Sequence, residues 1–162
     1  MMMEKCQKSL MEAAVQTFED LGLMLLNEEL TDDQKEAKKE ASVMVTFSGP
    51  FSGRLELTVF GDVTKKLARN ISGSEELSSD ILPLDALGEI ANVICGNVLP
   101  RIAGVREIFH LTSPAPINSE PLAQDAKMVV IADSHLGLED GRAEIKFLVD
   151  ETAGKKLKSV TQ

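Results

Sequence analysis

The chain has no tryptophan and no tyrosine, and six phenylalanines are its only aromatic residues. Histidine and cysteine are also scarce, with two of each. His110 and His135 stand far apart, neither has a second ligand at metal spacing beside it, and no Cys-x-x-Cys occurs. A structural metal site is therefore not indicated. No serine lies in a Gly-x-Ser-x-Gly elbow, and no Gly-x-Gly-x-x-Gly follows a strand pattern, which removes the usual hydrolase and dinucleotide signals. Cys6 and Cys95 both sit in helical patterns and read as reduced, buried thiols. Cys95 has apolar neighbours and reads as a core residue, not a nucleophile.

Positive charge is in deficit. Lys and Arg number 17 against 26 Asp and Glu, for a net charge of -9 and a pI near 4.7. Phosphate backbones and anionic membrane surfaces both call for a basic face, so neither nucleic acid nor membrane is an expected partner. Long hydrophobic runs are missing too. Nothing approaches the roughly 20 apolar residues of a membrane span, and Leu23 to Leu26 is too short for a signal-peptide core. The chain reads as cytoplasmic. What is present fits an ordinary globule: 162 residues, 43% hydrophobic and 27% charged. One domain over 1–162 is expected.

Along the chain, residues 4 to 26 show helical period, with Cys6, Leu10, Ala14, Phe18 and Leu21 on one stripe. Residues 27–40 are strongly charged and read as a solvated surface loop, with room for a short helical turn around Gln34 to Lys39. Ser42 to Ser48 and Arg54 to Phe60 alternate apolar and polar residues around Gly49-Pro50-Phe51-Ser52-Gly53, the pattern of a β-hairpin. That turn lacks the Lys and the following helix of a phosphate loop. Asp62 reads as the N-cap of a short helix, Val63 to Ile71, closed by Gly73.

Ser74 to Leu84 reads as a loop. A helix starting near Asp85 follows, and Pro100 should end or kink it. Ile108 to Ser113 and Met128 to Ala132 are strand-like, and Pro114, Pro116 and Pro121 mark an irregular connection between them. Leu136 to Gly141 reads as a hairpin turn, and Ala143 to Val149 alternates as a last strand. The tail, 151–162, reads either as a short helix or as a frayed end. Strands joined by hairpins cannot all be parallel, so the order predicts an α+β fold, an antiparallel β-sheet with packed α-helices.

The helix over Asp85 to Asn97 is the one candidate site. At about 100° per residue, Leu87, Ile90, Ala91, Ile94 and Val98 share one apolar side. Asp85, Glu89, Asn92 and Gly96, at i, i+4, i+7 and i+11, form a narrow stripe on the other. A solvated helix face usually carries Lys, Arg and several Glu. This one carries two acids, an amide and a glycine, a residue that gives helix stability away and points to a close approach. Two readings compete. In the first, Asp85 is the N-cap and Glu89 and Asn92 are plain surface. In the second, a carboxylate pairs with a partner's cation and a carboxamide orients a water without acting as a base. That division suits phosphoryl transfer, which needs positioning above all. The phosphate and its metal would then have to come from a partner.

The run Asp85-x-x-x-Glu89-x-x-Asn92 followed by Gly96-Asn97 resembles the signature of the CheX and CheC chemotaxis phosphatases. The hairpin FSGPFSGRLELTVF before the helix and Ser113-Pro114-Ala115-Pro116 after it agree with that frame, and the resemblance covers about residues 10 to 150. It departs at Ala115, where the family pattern places a proline. One acid–amide helix is visible, as in CheX, whereas CheC proteins carry two.

The resemblance implies a CheC-like fold and removal of the aspartyl phosphate of a phosphorylated CheY-like receiver domain. It implies that Glu89 pairs with the regulator's active-site lysine, that Asn92 aligns the attacking water, and that Asp85 caps the helix and aids docking. Gly88 and Gly96 would leave room for the partner's loops or for close packing. No cofactor is expected on this chain, since Mg²⁺ would come with the partner response regulator. A homodimer joined through the sheets is the family habit. The alternative is a non-catalytic CheC-like binding or adaptor domain in chemotaxis or flagellar-switch signalling.

Overall fold

Alternation decides the sheet. In the computed structural model, which describes residues 2–73, 82–117 and 127–159, strand β1 (Lys39–Ser48) and strand β2 (Gly53–Gly61) form the expected antiparallel hairpin. Val43, Val45, Phe47, Leu55, Leu57 and Val59 all point to one face and are buried. β6 (Gly141–Asp150) adds Ala143, Ile145, Phe147 and Val149 to the same face, because side chains alternate with a period of two. β5 (Met128–Leu138) pairs with β6 across a two-residue turn at Glu139 and Asp140. Two short strands, β3 (His110–Leu111) and β4 (Ala115–Pro116), both pair with β1. The described strands run β3-β1-β2-β6-β5, with β4 also on β1, and every pairing is antiparallel.

Helices cover the apolar face. α1 (Met2–Asp20) buries Cys6, Leu10, Ala14 and Phe18, the stripe expected of it. The helix stops earlier than its periodicity implied. The chain turns through Leu23, at φ 52°, and Met24 folds back into the core. α4 (Pro83–Ala103) lies against α1 and across β1 and β2. Its apolar side, Leu87, Ile90, Ala91, Ile94 and Val98, is fully buried. Cys6 and Cys95 are buried and unbonded, and desolvation pushes the Cys95 thiol up to about 12. That value leaves it inert as a nucleophile at neutral pH.

Several local expectations are corrected. Asp62 does not cap α3 (Thr64–Ser72); the position before the helix is Val63, whose side chain makes no cap bond. The cap comes instead from Glu40 on β1. Its carboxylate accepts from the backbone N–H of Val63 at 2.8 Å and of Thr64 at 3.1 Å, and from the Thr64 hydroxyl at 2.6 Å. Gly73 closes α3 in the left-handed conformation, φ 71°, as predicted. β5 runs on through Leu138, where a turn had been predicted from Leu136, because β6 pairs its polar residues too. Only His110 and Leu111 of the stretch 108–113 form strand, and Ile108 is exposed.

The charged stretch 27–40 is more tightly held than a loop. α2 (Asp32–Glu36) starts with a reciprocal capping box between Thr31 and Gln34. The Arg142 guanidinium stacks over Phe60 at 3.8 Å and donates to the carbonyls of Gln34, Lys35 and Ala37. The tail takes the helical option as α5 (Glu151–Ser159). Most of the predicted loop before α4, and Pro121, lie outside the described residues.

Candidate functional site

α4 begins at Pro83, two residues earlier than expected. Proline suits the first helical position, since its missing N–H would be unpaired there in any case. Asp85 is therefore not the N-cap. That position is Leu82, which makes no side-chain cap bond, and Asp85 stands third in the helix. Its charge still favours the positive end of the helix dipole. Pro100 neither ends nor breaks the helix, which continues to Ala103.

The predicted stripe forms as one surface. Asp85, Glu89 and Gly96 are exposed and Asn92 is half-buried. Asp85 and Glu89 are like charges at i and i+4, a mildly unfavourable pair in an isolated helix. No described group answers them with an ion pair or hydrogen bond, and none bonds the Asn92 amide. Arg101, the one basic residue of α4, reaches across to Glu12 of α1 at 3.3 Å instead. Two acids and an amide are thus held in fixed order on a rigid helix with their polar groups unclaimed.

A cleft of about 300 Å³ opens beside them. Leu84, Asp85, Gly88 and Glu89 form its α4 wall, and Ser113 to Pro116 form the other. The second wall is an extended strap, residues 110–117, laid along the edge of β1. Thr112 N–H donates to Thr46 C=O at 2.8 Å and Ile117 N–H to Ser42 C=O at 2.9 Å. Ser113 and Pro114 bow out between these anchors, and Pro114 presses on Gly88. A Cβ at Gly88 would stand 2.8 Å from Pro114 Cβ. Ala115, where the family proline was missed, pairs with Met44, so it is Pro114 that meets the helix. The strap was not foreseen as a wall of the site. Its signal was the run of prolines, which cannot lie in a central strand but tolerate an edge.

The histidines and the β1–β2 turn fall elsewhere. His110 is exposed on edge strand β3. His135 lies on the open face of the sheet, 3.5 Å from Glu144. The turn from Gly49 to Gly53 serves packing: the Phe51 ring meets Phe47 and Phe109 edge-on at 5.9 and 5.1 Å. Among the described residues, no helix is long and apolar enough to cross a membrane.

Comparison with known proteins bears on this arrangement. The model of the family described as chemotaxis phosphatase CheX matches residues 41–132. No curated protein sequence matches the chain. Among solved structures, a chemotaxis protein CheX from Desulfovibrio desulfuricans superposes with a TM-score of 0.64 at 14% identity, over 90% of this chain and 99% of that one. CheX of Borrelia burgdorferi, solved as a CheX-CheY-BeF3-Mg complex, gives 0.58 at 19% identity over 89% and 97%. The FliM middle domain of Helicobacter pylori gives 0.58 at 13% over 96% and 93%. At such identities the structural likeness establishes the α+β fold, and the sequence model carries the family.

Proposed function

The chain belongs to the CheX family of chemotaxis phosphatases, and from that premise we propose that it hydrolyses the aspartyl phosphate of a CheY-like receiver domain. The observation that carries the reading is the unclaimed acid–amide pair on α4. Glu89 is exposed without a cation of its own, and Asn92 is half-buried one turn further on, with its amide free. Glu89 docks to the lysine of the receiver's site. Asn92 enters beside the phosphoryl group, accepts a hydrogen bond from a water at its carbonyl oxygen, and points the water's lone pair at phosphorus.

The water oxygen bonds to phosphorus as the phosphorus–oxygen bond to the aspartyl carboxyl breaks. The electron pair leaves on that carboxylate, and both protons of the water leave with inorganic phosphate. Because a carboxylate is a stable leaving group, an amide that cannot take a proton suffices. Mg²⁺ stays with the receiver as its own ion. Asp85 adds charge for docking, and a homodimer joined through the sheets belongs to the same reading.

The second reading is a binding module without catalysis, in which the same acid–amide stripe serves docking alone. One experiment separates the two. Phosphate release is followed from a panel of phosphorylated receiver domains, with parent and Asn92→Ala. Release by the parent is expected to fall roughly 100-fold or more in the variant, the scale of a lost positioning group. The melting temperature should stay within about 2 °C, since no described partner loses a bond. A receiver that binds the parent tightly and keeps its phosphate would favour the binding module.

A further inference from the structure

α4 carries two glycines on or beside the site stripe, and they have different reasons to be there. Gly88 is required by the chain's own packing, against Pro114. Gly96 is not: a Cβ built there would meet nothing within 4 Å. The other glycines with nothing near, Gly73 and Gly104, have positive φ of 71° and 103°, where a side chain strains the backbone. Gly96 is helical, exposed and free of both constraints. Glycine in a helix interior lowers its stability, so the described residues give Gly96 a cost and no return.

A second observation lies four residues on. In an α-helix the carbonyl of residue 96 accepts from the N–H of residue 100. Residue 100 is a proline, which has no N–H and whose ring crowds the carbonyl four positions back. The helix nevertheless continues, and the next rung is intact: Gly104 N–H donates to the Pro100 carbonyl at 2.9 Å. The Gly96 carbonyl is thus deprived of its helical donor, while the space where a side chain at 96 would stand is open. Pro100 is itself exposed. A main-chain acceptor in this state seeks another donor. It lies on the same stripe as Asn92, about 6 Å further along the axis.

We propose that Gly96 and Pro100 form a backbone-reading subsite, in which the receiver domain lays main chain against Gly96 and donates an N–H to its carbonyl. The proposal rests on the phosphatase reading of Glu89 and Asn92, whose interface it extends. Glu89 selects a cation and Asn92 serves the water. Gly96 sets how closely the partner's chain lies along α4, and so how deeply Asn92 enters. A main-chain donor is the fitting occupant because the bare helix at Gly96 admits a backbone that any side chain there would hold off.

The test uses two substitutions that should both strengthen the helix. Pro100→Ala returns the N–H and takes the Gly96 carbonyl back into the helix; Gly96→Ala puts a methyl in the contact. Binding is measured by calorimetry to a receiver domain activated with BeF3 and Mg²⁺, and release is measured from the acetyl-phosphate-treated receiver. Pro100→Ala is expected to weaken Kd and raise KM about fivefold, the scale of one hydrogen bond. Gly96→Ala should weaken both about tenfold. Melting temperatures should rise in both.

Unchanged Kd and KM in both variants overturn the subsite, and if the parent still releases phosphate the phosphatase function stands without it. Binding lost together with a fall in melting temperature also overturns it, because the role would then be structural. Binding losses as predicted with no release even by the parent keep the subsite and remove the catalysis. A parent that binds no receiver removes both.

Discussion

The two edges of the sheet are finished in different ways. At the β5 edge the closure is flush. Asp133 N–H donates to the Gln7 side-chain carbonyl at 3.0 Å, and the Gln7 amide returns a bond to the Asp133 carbonyl. Four residues on, Asn27 and Gly137 exchange backbone bonds at 3.0 and 2.7 Å. One side chain and one bridge stand in for a further strand, which blunts an edge that would otherwise invite pairing. At the β1 edge the strap 110–117 is anchored at both ends and bowed in the middle, and the bow leaves the cleft beside Asp85 and Glu89. At one edge Asp133 and Gly137 find their hydrogen-bond partners within the chain. The other borders a helix face whose acids and amide remain unclaimed. Changes at the first should register as stability, and changes at the second as activity.

The largest stability effect expected is at the flush edge. A Cβ at Gly137 would meet the Asn27 side chain at 2.3 Å. That side chain cannot simply swing away, because it exchanges hydrogen bonds with the Gln34 amide at 2.8 and 2.9 Å. Gly137→Val should cost about 2–3 kcal/mol, as overpacking does. Urea denaturation checks the loss, and phosphate release per folded molecule should be unchanged. If release fell in proportion, the two edges would not be independent.

At the other edge, Gly88→Ala drives a methyl into Pro114 and displaces the strap. A cost of about 1 kcal/mol with a several-fold loss of release is expected. Loss of stability with full activity would show that the cleft is not part of the site.

The smallest effect lies away from both edges. Burial pushes the Asp150 carboxyl up, but the backbone N–H groups of Ala153, Ser52 and Thr152 outweigh it and hold the group below its ordinary value. The bonds from Ala153 and Ser52 are 2.8 and 3.0 Å long, and they tie the start of α5 to the β1–β2 turn. A carboxyl depressed in the folded state stabilises fully above its unfolded pKa and loses that contribution as pH falls through the folded value. Melting temperature followed downward through the ordinary aspartate range should fall less steeply in Asp150→Asn than in the parent. Release at neutral pH should not distinguish them.

Legibility followed range. The hairpin, the apolar stripe of α1 and the Gly73 stop were readable because each depends on neighbours a few residues away. So was the stripe from Asp85 to Gly96, which is a helical period and nothing more. Asp62 was misjudged as a cap because the true cap, Glu40, reaches α3 from a strand far back in the chain. The end of β5 was misplaced because Ser134 and His135 break the apolar alternation, and only pairing with Ile145 and Glu144 keeps them extended. The stretch 27–40 looked solvated because its anchor, Arg142, lies more than a hundred residues away.

The sequence by itself determined which residues share a face, since a helix turns about 100° per residue and a strand alternates whatever surrounds it. Only the tertiary structure decided that Gly88 is used by the chain's own strap while Gly96 is left open, and that Arg101 turns to Glu12 and leaves Asp85 and Glu89 unanswered. Those outcomes depend on which distant segments meet, and local spacing carries no information about a contact made across the fold.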